Sequence, residues 1–267
     1  MTKKNSVKVI FLYFRPPKFI LIKLSITMVI RILLVLLFSL SSFTNADKKS
    51  NDFSKSLSLA SVVKNEVKDG TNDESIYNSI DSNNFDMPAF ECFSRAIQGF
   101  NKLKASGLVD KEYLTIVDYS LPSTAKRLWI IDLKANKIIM NSLVAHGKNS
   151  GANYATSFSN KSESNKSSLG FFITGETYMG KHGLSLKLDG LESGINDSAR
   201  DRSIVMHAAD YVTEDFARVH HRLGLSHGCP ALPPNLSGKI IAMIKGKSCL
   251  FIYHPSMAYN STSKLVA

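Results

Sequence analysis

Short apolar runs between residues 114 and 253, separated by polar and glycine-rich stretches, are typical of β-strands. Leu128–Leu133 and Ile138–Val144 flank the polar segment Lys134–Lys137, and this arrangement predicts a β-hairpin. The other predicted strands, all after the segment Leu114–Tyr119, are Leu169–Thr174, Ser185–Leu188, Ser203–Met206 and Ser248–Tyr253. The pattern favours a mainly β fold, a largely antiparallel sandwich or barrel-like domain with a few helices.

Apolar residues spaced three and four positions apart predict three helices. The first begins near Phe90 and ends at Gly107, and we expect its apolar stripe to pack against the main domain rather than on a membrane. Tyr211–His220 and Leu236–Lys245 are the other two. The long segment Gly147–Ser168 carries no such pattern, and loops of this length often form a lid or a substrate wall.

The first 46 residues have the features of an export signal. Arg31 precedes the apolar run Ile32–Phe38, and the small residues up to Ala46 favour cleavage after that position. The alternative is an uncleaved membrane anchor over about residues 19–40. Two basic residues interrupt that span, which disfavours it because a bilayer-crossing helix needs about 20 mostly apolar residues.

The composition changes after residue 46. Residues 47–85 are rich in Ser, Asn, Asp and Lys, which predicts a flexible linker, with a short helix around Leu57–Lys68. The predicted organisation is an export signal or N-terminal anchor at 1–46, the linker at 47–85, a helical lead-in packed on the main domain at 86–120, the main domain at 121–256 and a C-terminal tail at 257–267. The true start, Met1 or Met28, stays open.

The net charge of +11 over 267 residues suggests a nucleic-acid partner, but its distribution argues against one. Seven of the 33 Lys and Arg residues lie in residues 1–46, which contain no acidic residue. The remainder carries 26 basic and 22 acidic residues and has no basic patch interleaved with aromatic residues. Nucleic acid is therefore not an expected partner.

Three cysteines are present, Cys92, Cys229 and Cys249. In an oxidising compartment Cys92 and Cys249 are able to pair, which leaves Cys229 as the odd thiol. The alternative is that both are free and buried, since cysteine is among the most often buried residue types. The sequence leaves this choice open.

The segment Ser226-His227-Gly228-Cys229, with His207 nineteen residues before Ser226, has the composition of a nucleophilic site. A thiolate is the reactive form of cysteine, and a nearby histidine generates it by accepting the proton. A lone cysteine is more often a small buried hydrophobic residue, so the neighbouring histidines and glycine carry the interpretation. We therefore expect acyl transfer by a cysteine–histidine pair.

These residues resemble the signature of the bacterial YkuD-type L,D-transpeptidases, cysteine enzymes that act on peptidoglycan. That signature is a histidine, a variable spacer and then Ser/Thr-His-Gly-Cys. Three further segments resemble the murein L,D-transpeptidase branch of the family, and the match covers about Phe90 to Pro255. The segments are Arg127–Leu133, Val144–Gly151 and Ser167–Gly170. The resemblance implies an L,D-transpeptidase-like β-sandwich or barrel for residues 121–256.

The resemblance also implies residue roles. Cys229 is then the nucleophile and His207 its general base, with the backbone carbonyl of Ala208 orienting the imidazole. Asp210 is an alternative orienting group. His227, Gly228 and Ser226 shape the site, and backbone N–H groups near Gly228 bind the oxyanion. Pro230 departs from many family members and, lacking an N–H, cannot donate to that oxyanion.

Substrate-binding residues are less constrained. Arg202 is a candidate for a bidentate bond to a substrate carboxylate, unless Asp189 or Asp201 neutralises it. His146, His182 and Tyr178 are candidates for the walls of the cleft. No metal and no cofactor are expected, because the histidines and Cys229 do not reproduce a common zinc spacing.

The resemblance implies a cysteine-dependent L,D-transpeptidase that acts on peptidoglycan stem peptides through a thioacyl-enzyme. The acceptor is a neighbouring stem amine or another acceptor amine, including that of an envelope protein. Two alternatives stay open: an L,D-carboxypeptidase that uses water as acceptor, and a catalytically idle cell-wall-binding module. The implied location is the periplasm or cell envelope, with membrane contact only through an uncleaved N-terminal segment.

Overall fold

The computed structural model describes residues 72–266. The predicted export signal (1–46), the first part of the linker and the predicted helix at 57–68 lie outside these residues. The described part contains five helices: α1 (Asn72–Ser79), α2 (Phe90–Ala105), α3 (Glu214–His220), α4 (Pro234–Ile244) and α5 (Met257–Thr262). None of these helices has both the length and the apolar composition needed to span a bilayer.

Eight strands form one sheet. They are β1 (Tyr113–Asp118), β2 (Leu128–Asp132), β3 (Lys137–Ser142), β4 (Gly170–Gly180), β5 (Gly183–Gly190), β6 (Val205–Ala208), β7 (Ala231–Leu232) and β8 (Cys249–Tyr253). Their order is β3-β2-β1-β8-β4-β5-β6-β7. Two of the pairings, β1 with β8 and β6 with β7, are parallel and the other five are antiparallel. The mainly β, barrel-like fold predicted from the sequence is confirmed.

Helix α2 covers the sheet at β1 and β8. Its apolar stripe, including Phe93, Ile97 and Phe100, is buried, as the three- and four-residue spacing predicts. Gly99 lies against the ring of Phe171, and a side chain at that position would collide with the ring. The glycine therefore lets the helix approach the sheet closely.

Two segments at the borders of the domain differ from the sequence prediction. Residues 72–85, expected to be flexible linker, contain α1 and a bridge from Asp81 to β3, and the Tyr77 hydroxyl donates to the Pro88 carbonyl. The expected tail at 257–267 contains α5, where the Tyr259 hydroxyl donates to the buried carboxylate of Glu192. The flexible-linker prediction is wrong for residues 72–85, because long-range contacts order a segment whose local composition is polar. The predicted tail at 257–267 includes a helix.

Cys92 and Cys249 are buried free thiols. The choice left open by the sequence is therefore settled in favour of two unpaired core cysteines. Burial raises the pKa of both thiols, and the negative charges of Asp118 and Glu91 raise that of Cys92 further. Neither has the exposure that nucleophilic chemistry requires.

Candidate active site

The pairing of β6 and β7 brings the two candidate reactive residues together. Strand β6 is flanked by β5, in which Ser185 is the register partner of His207, and by β7, in which Ala231 is the register partner of His207. Cys229 precedes Ala231 by two residues, and its Sγ accepts a hydrogen bond from the Val205 N–H at 3.5 Å. The motif cysteine thus lies beside the strand that carries the motif histidine.

The turn before β7 is held in shape by Ser226. Its hydroxyl donates to the Cys229 carbonyl at 2.6 Å and accepts from the Gly228 N–H at 3.1 Å. The Ser226 backbone is attached to the segment after β3, because its N–H donates to His146 O and its carbonyl accepts from Lys148 N–H. These bonds fix the backbone that presents the thiol.

Gly228 has a backbone conformation that requires glycine. Its φ is +123°, and a Cβ would lie 2.9 Å from both Ile204 Cδ1 and the Lys166 carbonyl oxygen. The carbonyl of Gly228 accepts from the Ser167 hydroxyl at 3.2 Å. The turn therefore packs directly against the loop between β3 and β4.

His207 is 5% exposed and is oriented by the backbone that follows it. Its Nδ1–H donates to the Ala208 carbonyl at 2.7 Å, so Nε2 of the neutral ring is left as the proton acceptor. Burial lowers the pKa of His207, and the positive charges of His182 and Lys181 act in the same direction. Asp210, the alternative orienting group, is exposed to solvent.

Cys229 is partly exposed, unlike the two core cysteines. Its thiol donates to the Ser203 carbonyl at a sulfur–oxygen distance of 3.7 Å. Burial of the sulfur raises the pKa of the thiol, while the Val205 N–H and the positive charges of Arg202 and Lys181 lower it. Burial thus opposes the charged form of both Cys229 and His207.

Cys229 and His207 line the same cavity, which has a volume of about 430 Å³. Its walls come from the β4–β5 hairpin, from the segment leading into β6 and from the turn before β7. They include Tyr178, Lys181, His182, Arg202, Tyr211 and His227. Among the described residues that line this cavity none is acidic. Its charged and titratable groups therefore favour a ligand with negative charge.

The sequence of residues 86–253 matches the L,D-transpeptidase catalytic domain, a match that spans more than half of the chain. The chain belongs to this family. The family acts on peptidoglycan, and its members are acyltransferase-type enzymes. The matched region includes α2 as well as the sheet, so the helical lead-in is part of the L,D-transpeptidase domain.

Solved L,D-transpeptidases are similar to this chain at low sequence identity. The one from Mycobacterium smegmatis is 12% identical over 54% of this chain and 59% of that chain, with a TM-score of 0.33. The Enterococcus faecium L,D-transpeptidase is 13% identical over 54% of this chain and 50% of that chain, with a TM-score of 0.31. The one from Stackebrandtia nassauensis is 14% identical over 62% of this chain and 68% of that chain, with a TM-score of 0.32. The chain thus matches just over half of the first structures' length. Comparison with curated proteins found no match.

Arg202, predicted to bind a substrate carboxylate, has its guanidinium bound to the loop between β3 and β4. Nη1 donates to the Ser159 carbonyl and the Ser168 hydroxyl, at 2.7 and 2.6 Å. Nη2 donates to the Lys166 carbonyl at 2.7 Å and the Ser164 hydroxyl at 3.2 Å. A bidentate bond to substrate would break these bonds, which corrects the prediction. Asp189 pairs instead with Arg200.

His146, predicted to line the cleft, is fully buried behind the site and is not among its walls. Arg127 Nη2 donates to its Nδ1 at 2.7 Å, and its Nε2–H donates to the Gly151 carbonyl at 3.1 Å. Burial, followed by the positive charge of Arg127, lowers the pKa of His146 to about 4. The prediction is wrong because the histidine's partners lie inside the domain.

Arg127 is a residue whose role the sequence did not indicate. It is fully buried, and besides His146 its guanidinium donates to the carbonyls of Val144 and Leu121. Tyr119 stacks beneath it, 4.8 Å from ring centroid to Cζ. In the sequence Arg127 is a basic residue at the start of an apolar strand, and basic residues are usually exposed to solvent. The cluster holds the segment to which the Ser226 turn is attached.

The remaining predicted residues lie at the site. Tyr178 forms part of the cavity wall and is 39% exposed, with Lys187 Nζ 5.7 Å from its ring centroid. The His227 ring is exposed and accepts a weak contact from Lys148 Nζ at 3.5 Å. Because Ser226 already accepts the Gly228 N–H, that group is not a free oxyanion donor, contrary to expectation. Across residues 72–266 no three His, Cys, Asp or Glu side chains are grouped to hold a metal ion.

Proposed function

We propose that this L,D-transpeptidase domain is catalytically active and uses Cys229 as nucleophile on peptidoglycan stem peptides. The observation that carries the proposal is the shared cavity of Cys229 and His207, with His207 held by the Ala208 carbonyl so that Nε2 is the proton acceptor. An idle wall-binding module would have no need for a partly exposed thiol beside an oriented imidazole. The geometry therefore supports acyl transfer.

In the acylation step His207 Nε2 accepts the thiol proton as Sγ attacks the carbonyl carbon of the residue before the terminal D-residue. The tetrahedral intermediate places negative charge on its oxygen. With the Gly228 N–H bound to Ser226, the backbone N–H groups of His227 and Cys229 are the donors that we assign to this charge. The carbon–nitrogen bond then breaks, the leaving amine takes the proton from His207, and a thioester on Cys229 is formed.

In the second step an acceptor amine attacks the thioester carbonyl. His207 Nε2 removes the amine proton and returns it to Sγ as the carbon–sulfur bond breaks. A stem-peptide amine gives a crosslink, an amine of an envelope protein gives an anchored protein, and water gives a shortened peptide. We place the acceptor in the same cavity, against the wall that Tyr178 forms.

The charge of the cavity supports a stem peptide as donor. Such peptides carry free carboxylates, and the basic side chain of Lys181 lies along the wall without an acidic residue among the described lining residues. A location in the envelope, reached through the N-terminal segment, is the corresponding proposal, because the substrate lies there. We also propose an envelope protein as a partner, which supplies the acceptor amine.

The test is the reaction of purified protein with a tetrapeptide stem fragment, analysed by mass spectrometry. We expect loss of the terminal D-residue and formation of a crosslinked dimer, with both abolished in Cys229→Ala and reduced by about 100-fold or more in His207→Gln. Loss of the D-residue without dimer would assign the water-dependent carboxypeptidase. No change in wild-type protein would overturn the enzymatic proposal.

A second measurement isolates the thiol. Incubation with a carbapenem, whose strained lactam acylates active-site nucleophiles, should give a stoichiometric mass adduct that maps to Cys229. Cys249→Ala is the matched control, because Cys249 is a fully buried thiol away from the cavity, and it should form the adduct like wild type. An adduct that survives in Cys229→Ala would contradict the assignment of the nucleophile.

A further inference from the structure

The β4–β5 hairpin places a second histidine against the face of His207. The hairpin is paired as far as Gly180 and Gly183, so Lys181 and His182 form its two-residue turn. Ser185 of the same hairpin is the register partner of His207. The ring of His182 consequently lies over that of His207, with centroids 4.6 Å apart and planes inclined by 20°. This is a near-parallel stack of two imidazoles.

The stack supplies a contact that the rest of the site does not. The Ala208 carbonyl fixes one nitrogen of His207, but a single hydrogen bond leaves the ring free to rock about that bond. The stacked ring of His182 covers one face of the His207 ring, and His207 is 5% exposed although it lines the cavity. We propose that His182 is a positioning residue, which fixes the plane of His207 and sets how readily that ring accepts a proton.

The inference rests on the proposed function, in which His207 is the general base. It adds a residue that contacts the base without contacting the reacting atoms. General-base catalysis depends on the direction of the accepting lone pair, so a ring that rocks loses rate even when its protonation is unchanged. A second imidazole also opposes the protonation of the first whenever it carries a proton itself, because the two positive charges repel.

Several titratable groups face His207 from the elements packed around it. The hairpin contributes Tyr178, Lys181 and His182, the turn before β7 contributes His227 and Cys229, and the segments beside β6 contribute Arg202 and Tyr211. Of these, His182 and then Lys181 oppose protonation of His207, after burial, which is the largest cause of its lowered pKa. The Ala208 carbonyl acts in the opposite direction. Charge and stacking at the hairpin turn are thus separable by substitution.

Three variants separate the effect of charge from the effect of stacking. His182→Phe keeps a flat ring over His207 and removes the titrating group, His182→Ala removes both, and Lys181→Gln removes the neighbouring charge while it keeps the stack. Met179→Ala is the control for disturbance of the hairpin, because Met179 is 77% exposed on the same hairpin and is not part of the cavity wall.

The first readout is the titration of the His207 ring by NMR in the full chain. We expect the pKa of His207 to rise in His182→Phe, since a repelling charge is replaced by a π-face that attracts a cation. It should also rise in Lys181→Gln and stay unchanged in Met179→Ala. A wild-type titration curve for His207 in both His182→Phe and His182→Ala would overturn the inference.

The second readout is the turnover of the stem fragment. His182→Phe should keep kcat at neutral pH within about twofold, whereas His182→Ala should lower it about tenfold at an unchanged KM, because only the latter loses the stack. Equal kcat values in the two variants would exclude positioning. The NMR titration does not require turnover, so it stays informative if the proposed function fails. Shifts of the His207 titration in a protein without activity would support the histidine stack and contradict only the proposed function.

Discussion

At the scale of single residues, the site depends on backbone geometry as much as on the two reactive side chains. Ser226 and Gly228 contribute no reacting atom, yet they decide where the Cys229 backbone lies. The Ser226 hydroxyl joins the Gly228 N–H and the Cys229 carbonyl, and Gly228 adopts a φ that is unfavourable for other residues. The Ser-His-Gly-Cys sequence is therefore a structural unit, and its serine and glycine are as constrained as its cysteine.

Gly228→Ala should impair both folding and reactivity. The new methyl group would meet the Lys166 carbonyl oxygen and Ile204 at 2.9 Å, and the positive φ adds strain, so we expect a loss of about 2 kcal/mol of unfolding free energy. Carbapenem acylation of Cys229 should slow as the turn shifts. Urea unfolding and adduct formation measure the two effects.

Gly238→Ala is the control for that substitution. Gly238 lies inside α4, and a Cβ there would meet no atom within 4 Å. Alanine should stabilise the helix by up to about 1 kcal/mol and leave acylation unchanged. If Gly228→Ala behaved like Gly238→Ala, the argument from the turn geometry would be wrong.

At the scale of elements, the site is made where a two-residue strand and a long loop meet. Strand β7 is too short for a sequence pattern to indicate, yet its pairing with β6 brings Cys229 beside His207. The loop from Gly147 to Ser168, expected to form a lid or substrate wall, is instead held by Arg202 at four oxygen atoms. A periodic apolar pattern indicates the buried face of a helix or strand. Neither the two-residue strand β7 nor the loop from Gly147 to Ser168 has such a pattern.

Arg202→Ala should release this loop. Hydrogen bonds from a charged group contribute about 1.5–3 kcal/mol each, so their loss should raise amide hydrogen exchange at Ser159 and Ser167 by at least about tenfold. Arg200→Ala is the matched control, because the Arg200 guanidinium is exposed and pairs with Glu176 and Asp189 at the surface. Equal amide hydrogen exchange at Ser159 and Ser167 in the two variants would show that Arg202 does not hold the loop.

At the scale of the whole molecule, the sequence predicted what depends on local pattern and missed what depends on distant contacts. The strands, the apolar face of α2 and the proximity of Cys229 to His207 follow from periodicity and from the family motif. The order of residues 72–85, and the buried position of His146, depend on partners far along the chain. Polar composition therefore misassigned α1 as linker. His146 was misassigned as a cleft residue because its partners, Arg127 and the Gly151 carbonyl, are not evident from the local sequence.

The buried pair of Arg127 and His146 should make the stability of the domain depend on pH. His146 has a pKa of about 4 in the folded chain and an ordinary value of 6.5, so below pH 6.5 the unfolded chain binds a proton that the folded chain does not. This contribution to stability is complete above pH 6.5 and is lost as the pH falls towards about 4. The loss amounts to about 3 kcal/mol.

Urea unfolding of wild type and His146→Gln across this pH range tests the assignment. The variant keeps a donor for the Gly151 carbonyl and cannot titrate, so it should lose less stability than wild type on acidification. Other groups with shifted pKa values, His207 and His254 in one direction and Glu192 in the other, are common to both proteins and cancel in the difference. Parallel stability curves for the two proteins would show that His146 does not remain neutral in the core, and the arrangement of Arg127 donating to its Nδ1 would then have to be abandoned.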